Sequence, residues 1–230
     1  MSLLVKVCGI TLPGQAAAID GMGADFLGFI FAAKSPRNVT PEHVASIPRG
    51  KAKRVGVFVE QTAEEVNRIM DSAKLDFAQL HAGQDEAFCR KVGPGRVIKV
   101  FWPGRYPGAG PDFPARLPGG EGEDATAAAA SALDALRRDM DRFAPLCALM
   151  LLDSGTSGGG HGVSLDFSSL AGLDPPRPWL LAGGLSTANA SLALARARPS
   201  GLDLNSGVEA SPGVKDITKV SQAIHIVKSF

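Results

Sequence analysis

The chain has 230 residues, 45% hydrophobic and 20% charged, with a formal net charge of +1. That is enough apolar material for one sizeable core. It is too little net charge to point to nucleic acid or an anionic membrane surface as a partner. No apolar run approaches the ~18 residues of a membrane span, and the N-terminus lacks a basic, signal-like stretch. The three cysteines, Cys8, Cys89 and Cys147, and the four histidines show no metal-ligand spacing. A cytoplasmic protein with reduced thiols is the simplest expectation.

Eight short runs rich in Val, Ile, Leu and Phe follow one another along the chain. They are "LLVKVC" from Leu3, "DFLGFIF" from Asp25, "RVGVFV" from Arg54, "LDFAQL" from Leu75, "RVIKVF" from Arg96, "CALMLLD" from Cys147, "PWLLAGG" from Pro178 and "LDLNSG" from Leu202. Several are apolar nearly throughout, as strands covered on both faces are. Segments of helical spacing lie between most of them: "LPGQAAAIDGMG", "TAEEVNRIMDSA", "DEAFCRKVG", "TANASLALARAR" and, at the end, "VKDITKVSQAIHIVKSF". Thr62 is placed to cap the second, and Ser186 or Thr187 the fourth. Strands alternating with helices predict crossovers and a parallel sheet. Eight such units in one domain, 1–230, fit a closed (β/α)8 TIM barrel better than a doubly wound sheet, which the pattern alone leaves open.

One interval is too long. Between "RVIKVF" and "CALMLLD" stand the Pro- and Gly-rich residues of about 102–124, then an alanine-rich segment that reads as a helix from near Ala125. Irregular loops of this length are surface insertions or lids. A mobile or loosely packed insertion is the expectation here.

In a barrel of this kind the active site forms at the C-terminal ends of the strands. Strand one ends at Cys8 and strand six at Asp153. A thiolate can take a carbon-bound proton, and a carboxyl kept protonated can give one. Taken singly, Cys8 also reads as a core thiol and Asp153 as a turn cap. Together, on opposite sides of one mouth, they read as an acid–base pair. "SGGGHG", "AGGLS" and "NSGVE" follow strands six, seven and eight. Their backbone N–H groups, free of side-chain bulk, suit a phosphate. Arg37 in "KSPRNV" follows strand two, and its planar fork suits a carboxylate, although it also reads as a surface arginine. No Walker or dinucleotide motif is present, so no nucleotide cofactor is indicated.

The stretches "VKVCGIT", "GADFLGFIFAAKSPRNVTPE", "VGVFVEQ", "FAQLH", "VIKVF", "LLDS", "LLAGGLSTAN" and "LDLNSGVEASPGVKD" together resemble one family, the phosphoribosylanthranilate isomerases of tryptophan biosynthesis. The resemblance implies a (β/α)8 barrel and an Amadori rearrangement of N-(5-phosphoribosyl)anthranilate to 1-(2-carboxyphenylamino)-1-deoxyribulose 5-phosphate. It implies Cys8 as general base, Asp153 as general acid and Arg37 as the contact for the anthranilate carboxylate. It places the phosphate around Gly159 and Gly160, Gly183 and Gly184, and Ser206 and Gly207. It implies a small phosphorylated substrate as partner, a monomer or homodimer, and neither cofactor nor metal.

Two stretches depart from the family pattern. "QLHAGQDE" is a longer turn than the usual "QLHGDE", and "GGHGVSLDF" puts His161 and Val163 where a hydroxyl and a lysine are usual. A histidine-pathway isomerase doing the same rearrangement is an alternative, but it typically pairs two aspartates, against Cys8. A barrel that binds a phosphometabolite without catalysis is another, which fold alone does not exclude.

Overall fold

The computed structural model describes residues 2–106, 123–153, 167–170 and 172–230, with backbone only at 123–129 and 168–169. Eight parallel strands are hydrogen-bonded in chain order and close into a barrel: β1 (Leu4–Val7), β2 (Phe26–Phe31), β3 (Lys53–Phe58), β4 (Phe77–Leu80), β5 (Val97–Phe101), β6 (Leu149–Asp153), β7 (Trp179–Ala182) and β8 (Gly201–Leu204). β8 returns to β1, with Leu4 opposite Gly201 and Lys6 opposite Asp203. That closure rules out the doubly wound sheet. All eight apolar runs of the sequence became these strands.

The helices are α1 (Pro13–Gly21), α2 (Pro41–Ser46), α3 (Ala63–Ser72), α4 (Glu86–Val92), α5 (Glu123–Phe143), α6 (Ala190–Ala197) and α7 (Ile217–Lys228). Thr62 closes a full capping box: its Oγ1 accepts from Glu65 N at 3.2 Å, and Glu65 Oε2 accepts from Thr62 N at 2.8 Å. Asp85 and Asp216 cap α4 and α7 with their side-chain oxygens alone, Asp85 accepting from Phe88 N and Asp216 from Thr218 N and Lys219 N. The expected cap on α6 is corrected. Residues 186–189 form a turn in which Asn189 Oδ1 accepts from Ser186 N at 2.8 Å, so the helix begins at Ala190. Helix α2, capped by Thr40, and a small antiparallel ribbon, β9 (Glu209–Ser211) with β10 (Val214–Lys215), had no clear signal in the sequence.

The insertion expected at about 102–124 falls mostly on 107–122, outside the described residues. Its first residues are built into the barrel wall. Trp102 is buried and Tyr106 Oη donates to Asp139 of α5 at 3.0 Å. Among the described residues no helix is long and apolar enough to cross a membrane.

Strand periodicity of two creates two cores. Leu27, Phe29, Leu80, Leu152, Leu181 and Leu202 point outward to the helices. Phe26, Val55, Ile98, Val100, Leu149, Leu151 and Leu180 fill the barrel itself. Leu151 is fully buried there, and truncating it to Ala would cost about 2–5 kcal/mol. The same alternation carries Lys6 and Cys8, Gln79 and His81, Leu151 and Asp153, and Asp203 and Asn205 onto the inner face in pairs.

Candidate active site

A cavity of about 340 Å³ opens at the C-terminal ends of the strands. Cys8, Asp153, Arg37, Gly183, Gly184 and Ser206 line it together with Gln79, His81 and Asp203. A larger hollow of about 560 Å³ lies outside the barrel, against Lys99, Tyr106 and Asp139. Neither Cys8 nor Asp153 lines that hollow; both line the smaller cavity.

Cys8 follows β1 and is 4% exposed. Space for its thiol comes from Gly28 on β2: a Cβ there would meet Cys8 Sγ at 2.7 Å and Cα at 3.0 Å. Gly9 turns the chain with φ +75, and a Cβ at that position would meet Arg37 Cδ at 2.6 Å. The glycine therefore serves both the turn and the passage of the arginine stem. Burial pushes the Cys8 thiol above its ordinary value, while the Lys6 ammonium pulls in the opposite direction.

Across the mouth, Asp153 Oδ2 lies 3.5 Å from His81 Nε2. Gln79 Nε2 donates to His81 Nδ1 at 3.2 Å, which leaves the ring proton on Nε2, facing the carboxylate. Burial, with Lys6 next, pushes His81 down to about 4, so the ring is neutral near pH 7. Trp102 packs edge-on against the imidazole, with ring centres 5.2 Å apart. Gln79 Oε1 is buried without a hydrogen-bond partner.

Arg37 lies on the cavity wall, where the sequence suggested it, but its fork is already engaged. Nε and Nη2 donate to Glu209 Oε1 and Oε2 at 2.8 and 2.7 Å. Glu209 also accepts from Lys215 Nζ at 2.8 Å, and Lys215 donates to Asn205 Oδ1 at 2.9 Å. The Arg37 partner holds the Glu209 carboxyl below its usual range against the opposing effect of burial. The ribbon β9–β10 carries both Glu209 and Lys215. Sequence reading named Arg37 and passed over both partners.

Gly183 and Gly184, which line the cavity, have φ of +95 and +61, a left-handed pair that favours glycine. Ser206 lines the cavity. Gly207 packs directly on the backbone of Leu185, where a Cβ would clash with its carbonyl oxygen. Gly159, Gly160, His161 and Val163 lie outside the described residues.

Of the residues sequence reading missed, Lys6 left the plainest signal: a lysine in an apolar strand, two positions before Cys8. His81 stands in "QLHAGQDE", a stretch that drew notice only for its length. Asp203 and Gln79 were each legible as polar residues inside apolar runs.

The family model for N-(5'-phosphoribosyl)anthranilate (PRA) isomerase matches residues 5–107 and 127–225. An N-(5'-phosphoribosyl)anthranilate isomerase from Maridesulfovibrio salexigens is 46% identical over 223 residues, covering 97% of each chain. The structure of phosphoribosyl anthranilate isomerase from Thermotoga maritima superposes with a TM-score of 0.76 at 28% identity, covering 99% of this chain and 100% of that one. A phosphoribosyl anthranilate isomerase in complex with reduced 1-(o-carboxyphenylamino)-1-deoxyribulose 5-phosphate gives a TM-score of 0.74 at 28% identity, with the same coverage. With a family model spanning most of its length and a relative nearly half identical from end to end, the chain belongs to the N-(5'-phosphoribosyl)anthranilate isomerase family.

Proposed function

We propose that Cys8 and Asp153 carry the family's reaction as general base and general acid. The activity itself comes with family membership: the chain isomerises N-(5-phosphoribosyl)anthranilate to 1-(2-carboxyphenylamino)-1-deoxyribulose 5-phosphate in tryptophan biosynthesis. The observation that carries the residue roles is that both side chains face one cavity from opposed strands, β1 and β6.

The steps follow from the groups. Asp153 gives a proton to the ribose ring oxygen, and the furanose opens to a protonated Schiff base. Cys8 then takes the proton from C2, the C–H electron pair forms the C1–C2 double bond, and the carbon–nitrogen π pair moves onto the nitrogen. The resulting enolamine tautomerises to the ketone. Hydrogen and electrons are only redistributed within one molecule, so the rearrangement calls for no redox cofactor. His81, neutral and with Nε2–H toward Asp153, steadies the carboxylate once its proton has gone. Arg37 keeps Nη1 for the anthranilate carboxylate, because Glu209 occupies the other two nitrogens. The phosphate is taken by the backbone around Gly183, Gly184, Ser206 and Gly207, joined by Gly159 and Gly160.

Cytoplasmic placement is part of the same proposal, since Cys8 serves as base only as a free thiol and reducing compartments keep it so. A monomer or homodimer completes it, to be read by sedimentation. The test of the residue roles is turnover of freshly generated substrate, followed as loss of its fluorescence. Cys8→Ala and Asp153→Asn should bind product-like ligand and turn over poorly. A variant with near-normal turnover removes that residue from the chemistry.

A further inference from the structure

The chemistry above leaves unused a buried ion pair inside the barrel. Lys6 is 0% exposed and Asp203 7%. They stand opposite each other in the β1–β8 register, and Lys6 Nζ donates to Oδ1 at 2.9 Å and Oδ2 at 2.8 Å. A buried ion pair of this kind is a poor source of stability, because the cost of desolvating two charges offsets their attraction. Much of the barrel interior is filled by apolar side chains without that cost. The location of the pair supplies a reason for it. Lys6 lies on β1 and Cys8 follows two residues later, just past the strand end, so both project to the same inner face, where the ammonium favours the ionised thiol. Asp203 holds that ammonium from the neighbouring strand and itself lines the cavity.

We propose that Lys6, fixed by Asp203, is a positioning residue for the base: its ammonium stabilises the thiolate form of Cys8, which takes the carbon-bound proton. The inference rests on the reading of Cys8 as the base. Other charges also face the thiol. Arg37 from the loop after β2 and Lys215 from β10 favour the thiolate, but both are tied to Glu209. Asp203 from β8 disfavours it. His81 and Asp153, across the mouth, bear on Asp203. Lys6 is the strongest of the partners that favour ionisation.

The test reads the thiol rather than turnover. Iodoacetamide labelling is followed against pH, with peptide mass spectrometry separating Cys8 from Cys89 and Cys147. Lys6→Met strands a buried carboxylate, so Lys6→Met/Asp203→Leu, which removes both charges, is measured beside it. In whichever variant folds, the Cys8 labelling midpoint should rise by about one pH unit or more. The loss in kcat/KM should shrink as the pH is raised. An unchanged midpoint in a folded variant overturns the proposal. The unmodified protein gives an independent reading: the Lys6 13Cε resonance should step at the Cys8 midpoint, and Cys8→Ser should abolish the step. A Lys6 signal indifferent to Cys8 also overturns it. If Cys8→Ala retains turnover, the base assignment falls while the labelling result stands. If Cys8→Ala is inactive and the labelling midpoint does not move, only the role of Lys6 falls.

Discussion

On the β1–β8 side of the cavity, Cys8 sits among charges locked in buried pairs: Lys6 with Asp203, and Arg37 and Lys215 with Glu209. On the β4–β6 side, Asp153 faces a neutral imidazole that is oriented by an amide and backed by an indole. Under the proposed roles of Cys8 and Asp153, the two walls are asked for opposite things. A thiol buried in apolar surroundings stays protonated, so the base wall needs cations close by to make the thiolate accessible. A carboxyl meant to donate a proton would be held ionised by a cation, so the acid wall does better with a ring that carries none. Burial is common to both walls, and the partner decides what it does. Two buried strand lysines make the same point. Lys6, paired with a carboxylate, is held above its ordinary value, although burial opposes this. Lys99 donates to the Gln84 carbonyl and lies 4.4 Å from the Phe143 ring centre, and burial pushes it down.

The largest effects come from removing one working group from each wall. Cys8→Ala and Asp153→Asn should each lower kcat by about 10²–10⁴-fold with the barrel intact by circular dichroism. If only one of them does, the division into base and acid walls is wrong. Next comes the charge lattice of the base wall. Glu209→Ala leaves Arg37 and Lys215 without their shared anion and should cost about 3 kcal/mol in urea unfolding. Arg37→Ala should raise KM more than it lowers kcat, because a carboxylate remote from the reacting carbon is bound alike in ground and transition states. A KM that stays put would make Arg37 purely a partner of Glu209.

Gly28→Ala sharpens the comparison more gently. The new methyl group meets Sγ at 2.7 Å, so it should cost about 1–3 kcal/mol and displace the thiol, lowering kcat while Asp153 is untouched. An unaffected kcat would mean that the thiol's position is not set by β2. The acid wall has its own pH signature. His81 is held down to about 4 in the fold and returns to an ordinary value on unfolding, so the unfolded chain binds the extra proton between those values. The stability this gives is complete above the unfolded value near 6.5 and declines as pH falls toward 4. His81→Asn should flatten that part of a curve of unfolding free energy against pH, and an unchanged slope would place the titration elsewhere. The smallest effect is expected from replacing residues 107–122 with a short linker. None of the named site residues lies there, and turnover should stay within about tenfold, or roughly 1.4 kcal/mol of barrier. A much larger loss in a folded variant would bring the segment into the site.

The sequence by itself determined the strands, most of the helices and the two strand tips that bear Cys8 and Asp153. These depend on periodicity and on local capping, as at Thr62, and both act over a few residues. It also exposed Arg37 and the glycine turns, whose composition is legible without any partner. Where α6 begins was harder to read, because Ser186, Thr187 and Asn189 all suit a cap and only the turn geometry chooses between them. The charge pairs were decided by the tertiary structure. Lys6 and Asp203 are 197 positions apart, and Arg37 and Glu209 are 172 apart. Each pair forms only because the barrel closes in one register, and a shift of one residue would turn Lys6 and Cys8 together to the outer face. Closure brings Lys6 and Asp203 side by side where little of either meets solvent, and there the partner of a buried charge decides whether the charge survives.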